Sequence, residues 1–205
     1  MKKINHFSQF LSEGAIQIEA ANAPQKANEF ADILRKYVGQ KEVGKNGGPL
    51  VNSLLKNVGL GTGYPWCMAF VYGVFKEFAG SANPLPKTAG VVDHWSKVPV
   101  SALKITRDQA IQKPELVKAG QIFFKSRKGG GHTGIVLRLE GKSFITIDGN
   151  SNDEVKINRY QLDSTALLGF ADYFQNPEFS AALDLAASSL IGSQPNAISS
   201  GGKET

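Results

Sequence analysis

Cys67 is the single thiol of this 205-residue chain, and His6, His94 and His132 are its three imidazoles. One cysteine forms no internal disulfide, and histidines this scattered form no cysteine-rich zinc cluster, so no metal and no cofactor is expected. Free cysteine is among the most buried residue types and usually acts as a small hydrophobe. The neighbours of Cys67 argue for a nucleophile instead. Pro65 and Trp66 place it in the first turn of a helix, where unpaired N–H groups and the positive end of the helix dipole stabilise a thiolate. The same N–H groups suit the oxyanion of a tetrahedral intermediate.

A thiolate needs a proton partner. His132 follows Gly129-Gly130-Gly131 and opens a strand-like run, Thr133 to Leu139, so its ring projects from a strand end beside an open loop. His94, between Asp93 and Trp95, competes for the role from a region with no partnering strand, and strands hold catalytic groups more firmly than loops do. The next run, Phe144 to Asn150, supplies Asp148 and Asn150. With antiparallel partners whose numbers sum to 282, His132 faces Asn150 and lies diagonal to Asp148 on one face of the sheet. That register calls for a three-residue loop, Glu140-Gly141-Lys142. A two-residue loop reverses the parity unless a bulge corrects it. Asp148-Gly149 and Asn150-Ser151 also read as turns.

The elements that must position these groups fall into two halves. Between Gln25 and Val38, apolar Phe30, Ile33, Leu34, Tyr37 and Val38 recur at helical spacing, and Pro49 opens a second helix with Leu50, Val51, Leu54 and Leu55. Trp66 to Ala79 is apolar on nearly every side, which places that helix at the centre of a domain. After Gly120 come short strand-like runs at 121–125, 133–139, 143–148, 155–160 and 168–174, separated by Gly-rich or Asn/Asp-rich turns. Helices first and strands afterwards predict an α+β architecture, N-terminal helices packed on a C-terminal antiparallel β-sheet.

The chain carries 23 Lys and Arg against 18 Asp and Glu, a net charge of +5. Residues 23–174 hold 20 of the basic and 13 of the acidic residues, so that body is at +7. The basic residues are dispersed without interleaved aromatics, which argues against nucleic acid as a partner. No run is apolar and long enough to suggest membrane insertion, and polar Ser8, Gln9, Ser12 and Glu13 break up any signal-peptide core. The expected organisation is an N-terminal extension over 1–24, helical from the spacing of Phe7, Phe10, Leu11 and Ile18; a domain over 25–175; and a low-complexity, partly disordered tail over 176–205.

The segments Gly63-Tyr-Pro-Trp-Cys-Met-Ala-Phe70, Gly131-His-Thr-Gly-Ile-Val136 and Ile145-Thr-Ile-Asp-Gly-Asn-Ser-Asn152 resemble the CHAP group of papain-like enzymes, the cysteine and histidine dependent amidohydrolases and peptidases. Gly39 to Pro49 and Ala119 to Phe124 extend the resemblance over roughly residues 26–174. It implies a papain-like fold with Cys67 as nucleophile, His132 as base, and Asp148 with Asn150 as orienting groups. Asp148 stands where the family usually has glutamate. The implied substrate is peptidoglycan, cut by an N-acetylmuramoyl-L-alanine amidase or a stem or cross-bridge endopeptidase. Tyr64, Trp66, Lys125 and Arg127 are the expected substrate contacts. A monomer acting as a phage lysin or as an injected toxin, the latter paired with an immunity protein, would need no secretory signal. A catalytically weak wall-binding or particle-associated module is the alternative.

Overall fold

The computed structural model describes residues 16–192 and 199–200. Helix α1 (Ala23–Tyr37) has Pro24 in its first turn and buries Ala23, Ala27, Phe30, Ala31, Ile33 and Leu34 along one face. Helix α2 (Pro49–Asn57) begins on a proline whose fixed φ suits the first helical position, and buries Val51, Leu54 and Leu55. Helix α3 (Cys67–Ala79) buries every residue from Cys67 to Phe75 except Tyr72. Such all-round burial belongs to a helix enclosed by other elements.

Six antiparallel strands follow: β1 (Leu103–Thr106), β2 (Ile122–Arg127), β3 (Gly130–Glu140), β4 (Ser143–Ser151), β5 (Glu154–Gln161) and β6 (Leu167–Asp172). Their order in the sheet is β1-β6-β2-β3-β4-β5, with the two-residue β7 (Ser199–Ser200) parallel to β5 at the edge. Side chains alternate between two apolar clusters. Ile135, Leu137, Ile145 and Ile147 join the helices, whereas Val136, Phe144, Tyr160 and Phe170 form the second cluster. Both α1 and α2 pack against α3, and α3 packs against β3 and β4. The central helix thus connects the helical half to the strands that carry His132 and Asp148.

Three short elements lie outside the sequence expectations: α4 (Val91–Ser96), β1, and α5 (Arg107–Gln112), whose start the Thr106-x-x-Gln109 capping box marks in the sequence. A larger difference lies at the C-terminus. Residues 177–192, expected to belong to a low-complexity tail, form helix α6 (Pro177–Gly192), which packs on α1 and buries Phe179, Leu183, Ala187 and Leu190. Its small residues admit close packing, and the Phe179 ring stacks on Phe174 with centroids 4.2 Å apart. A flexible tail was expected from residue 191; Ile191 and Gly192 instead end α6, and the rest of that stretch, apart from 199–200, lies outside the described residues. So do residues 1–15 of the N-terminal extension. Its described part has no helix at residues 16–19, where Ile16 N–H donates to the Tyr173 carbonyl at 2.8 Å, and then makes a 3-10 turn, Ala20–Asn22. Among the described residues no helix is long and apolar enough to cross a membrane.

Candidate active site

The hairpin joining β3 to β4 sets the geometry. Glu140 pairs with Ser143, so the loop is the two residues Gly141 and Lys142, not three. Partner numbers near the loop sum to 283, as in Arg138↔Ile145. Between Val136 and Arg138 the register shifts, and Val136↔Thr146 and Ile135↔Ile147 sum to 282. The irregularity at Leu137 restores the parity that a two-residue loop reverses. His132 and Asp148 therefore meet on one face: His132 Nε2 lies 3.0 Å from Asp148 Oδ2.

Asp148 is fully buried, and its Oδ2 accepts two further hydrogen bonds, from Asn158 Nδ2 at 2.9 Å and from the Tyr160 hydroxyl at 2.6 Å. Both donors stand at alternate positions of β5, on the face Asp148 uses. Gly134 makes room for the carboxylate, because a Cβ there would lie 2.0 Å from Asp148 Oδ1. Gly149 does the same for the helix. A Cβ at that position would lie 2.4 Å from Phe70 Cβ and 2.9 Å from the Trp66 ring, so glycine lets the start of α3 rest on β4.

Trp66 is the N-cap of α3, its carbonyl accepting the Phe70 N–H at 2.8 Å, which puts Cys67 at the first helical position. The N–H groups of that first turn have no partner within the helix. Glu42 fixes the approach from the other side: Oε2 accepts from Trp66 Nε1 at 2.8 Å, Oε1 from the Asn46 N–H at 2.7 Å, and the Glu42 N–H donates to the Asp153 carbonyl at 2.9 Å. Cys67 and His132 are each 3% exposed. Burial works against an imidazolium at His132, but hydrogen bonds and charge from Asp148 and Cys67 outweigh it and raise the ring well above the usual histidine value.

Cys67, His132 and Asp148 are thus brought together. Asn150 is half-buried with a left-handed φ of 58°, and it lines the cavity that reaches His132; the oxygen bonded to the ring belongs to Asp148. Tyr64 lines a second cavity, which reaches Cys67, and Arg127 borders both. Two expected substrate contacts lie outside both cavity linings. Trp66 is fully buried behind the cleft, where it anchors Glu42. Lys125 lines neither cavity, and its ammonium sits 4.4 Å over the Tyr160 ring. His94 is also fully buried, its Nε2 2.9 Å from the Tyr173 hydroxyl.

The expectations from sequence did not include Glu42, Asn158 or Tyr160. For Asn158 and Tyr160 the available signal was their i, i+2 spacing on a strand following Asp148, which becomes informative once the register is known. Among the described residues no group of three or more His, Cys, Asp or Glu side chains is placed to hold a metal ion.

A comparison with curated proteins and one with solved structures gave no significant match. The family model of the CHAP domain matches residues 59–150, a segment that runs from the loop before Cys67 through Asn150. Residues 59–150, which hold the thiol, the imidazole and the carboxylate described above, are thus the part of the chain that is similar to the CHAP domain.

Proposed function

We propose that the protein is a peptidoglycan hydrolase that cleaves an amide bond, as an N-acetylmuramoyl-L-alanine amidase or a stem or cross-bridge endopeptidase, with Cys67 as nucleophile and His132 as general base and acid. The similarity of residues 59–150 to the CHAP domain supports a hydrolase of the amidase or peptidase kind. The observation that carries the residue assignment is the buried 3.0 Å contact between His132 and Asp148, with Cys67 as a further hydrogen-bond partner of the ring.

With Nε2 committed to Asp148, Nδ1 is the ring nitrogen left for the thiol. His132 takes the Cys67 proton, giving a thiolate and an imidazolium. The sulfur attacks the amide carbonyl, and N–H groups of the first turn of α3 hold the oxyanion, an interaction worth about 100-fold to 1000-fold in rate per donor. As the S–C bond forms and the C–N bond breaks, His132 passes its proton to the departing amine. Water then adds to the thioester, His132 accepting one of its protons and returning it to sulfur, and the carboxylic acid leaves. Asp148 keeps the ring oriented and balances the imidazolium charge, the part the third member plays in triad chemistry.

The test is incubation of purified peptidoglycan with wild type, Cys67→Ala and His132→Ala, followed by mass analysis of the soluble fragments. Wild type alone should release fragments, and their masses identify the bond. Equal release by wild type and Cys67→Ala would falsify the thiol mechanism.

A further inference from the structure

We infer that the cleft sorts the two halves of the scissile amide by charge: a small neutral acyl half occupies the cavity at Cys67, and a carboxylate-bearing amine half occupies the cavity at His132. The inference rests on the thiol-hydrolase reading above and adds the chemical class of each half.

Two cavities meet at the candidate pair. One, of about 290 Å³, is lined by Cys67 together with Leu60, Tyr64, Ala89, Val91 and the glycines at 129–131. Its single charged residue is Arg127, which also borders the other cavity. That second cavity, of about 380 Å³, is lined by His132 with Glu42, Lys45, Asn46, Asn150 and Asp153 among others. Pro65 and Arg127 belong to both linings, so the two cavities form one groove with the thiol opening on one side and the imidazole on the other.

The chemistry assigns the halves. The acyl carbon becomes bonded to Sγ and so stays on the Cys67 side. The amine nitrogen must take its proton from the ring, so its half departs on the His132 side. The charges there are unequal in availability. Both carboxylate oxygens of Glu42 already accept hydrogen bonds, from Trp66 and from the Asn46 N–H. Lys45 and Arg127 form no ion pair with any described residue. The formal charges of the lining balance, Lys45 and Arg127 against Glu42 and Asp153, but the two cations are exposed and uncommitted whereas the Glu42 carboxylate is held by its two donors. The groups left free to pair with a ligand are thus mainly cationic, and the guanidinium fork of Arg127 matches a carboxylate in particular. On the Cys67 side, a charged acyl half would lose hydration against apolar walls without gaining a partner of its own.

Three synthetic substrates test this with the full chain. An aryl ester of N-acetyl-alanine reports thiol hydrolysis without a charged leaving half. Two amides share that acyl group and differ only in whether the leaving dipeptide ends in a carboxylate or a carboxamide. We expect wild type to favour the carboxylate amide by about tenfold or more in kcat/KM. The Lys45→Ala/Arg127→Ala variant should bring that ratio close to one, and added salt should lower it in wild type. Equal rates on the two amides, or a preference for the carboxamide, overturn the charge assignment while ester hydrolysis still supports the thiol mechanism. No Cys67-dependent hydrolysis of the ester overturns the thiol-hydrolase reading itself, and this inference with it.

Discussion

The Tyr160 hydroxyl donates to Asp148 Oδ2 at 2.6 Å, and that same oxygen lies 3.0 Å from His132 Nε2. Tyr160 therefore positions the group that positions the imidazole. Hydrogen bonds to charged groups are worth about 1.5–3 kcal/mol. Tyr160→Phe keeps the ring beneath Lys125 and against Phe123 and Phe144 while removing the donor. We expect kcat to fall by about tenfold or more, at about 1.4 kcal/mol for each factor of ten, with KM unchanged. Steady-state kinetics on a soluble amide substrate separates the two constants. A rise in KM at constant kcat would assign Tyr160 to substrate binding instead.

Gly134→Ala probes the same carboxylate from the neighbouring strand. The new Cβ would lie 2.0 Å from Asp148 Oδ1 and 2.6 Å from the Ile147 carbonyl oxygen, so the carboxylate must move or β3 and β4 must separate. Overpacking of this kind costs about 1–3 kcal/mol. We expect a lower Tm by calorimetry and, in the folded protein, slower alkylation of Cys67 by iodoacetamide at mildly acidic pH, because a displaced Asp148 no longer supports the imidazolium. Alkylation at the wild-type rate would show that Asp148 does not influence the thiol.

These two predictions mark where sequence reasoning ended. Cys67 was legible because Pro65 and Trp66 precede an apolar stretch with helical spacing, and His132 because a glycine run precedes a strand. Their distance apart depends on β3 and β4, whose loop has two residues where three were expected. The parity survives through an irregularity at Leu137, an apolar residue within an apolar run, and nothing in its type announces that. Asn158, Tyr160 and Glu42 were hidden for a related reason: a polar side chain reads as a surface residue until the strand or loop beside it is known. Helix α6 was missed because alanine and serine bury little area each, and composition alone does not show that Phe179, Leu183, Ala187 and Leu190 share a face.

His94 should limit stability in acid. Burial lowers its pKa from the ordinary 6.5 to about 4, with the Asp93 charge partly opposing, so the folded state holds the ring neutral. Between those values the unfolded chain binds a proton that the folded chain does not. Stability is then fully present above about 6.5 and falls as pH drops through about 4, by up to about 1.4 kcal/mol per pH unit. Denaturant titrations of wild type and His94→Phe from pH 7 to pH 4 check this. The wild-type curve should lose stability more steeply with acid than the variant does. Parallel curves would remove His94 as the cause. Because α4 also carries Val91 into the cavity at Cys67, loss of this packing should slow turnover in the same pH range.

His132 should act in the opposite sense. Its burial works against the charged ring, yet hydrogen bonds and charge from Asp148 and Cys67 raise the folded pKa above the ordinary 6.5. The folded state therefore keeps a proton on this site at pH values where the unfolded chain has released it. The resulting stabilisation is fully present below about 6.5 and declines as pH rises toward the raised folded value, again by up to about 1.4 kcal/mol per pH unit. His132→Gln removes the titrating group while keeping a polar side chain opposite Asp148. The stability of wild type relative to this variant should be greatest in mild acid and shrink steadily from pH 7 to pH 9. A relative stability that grows over that range would mean that the ring is held neutral in the folded state.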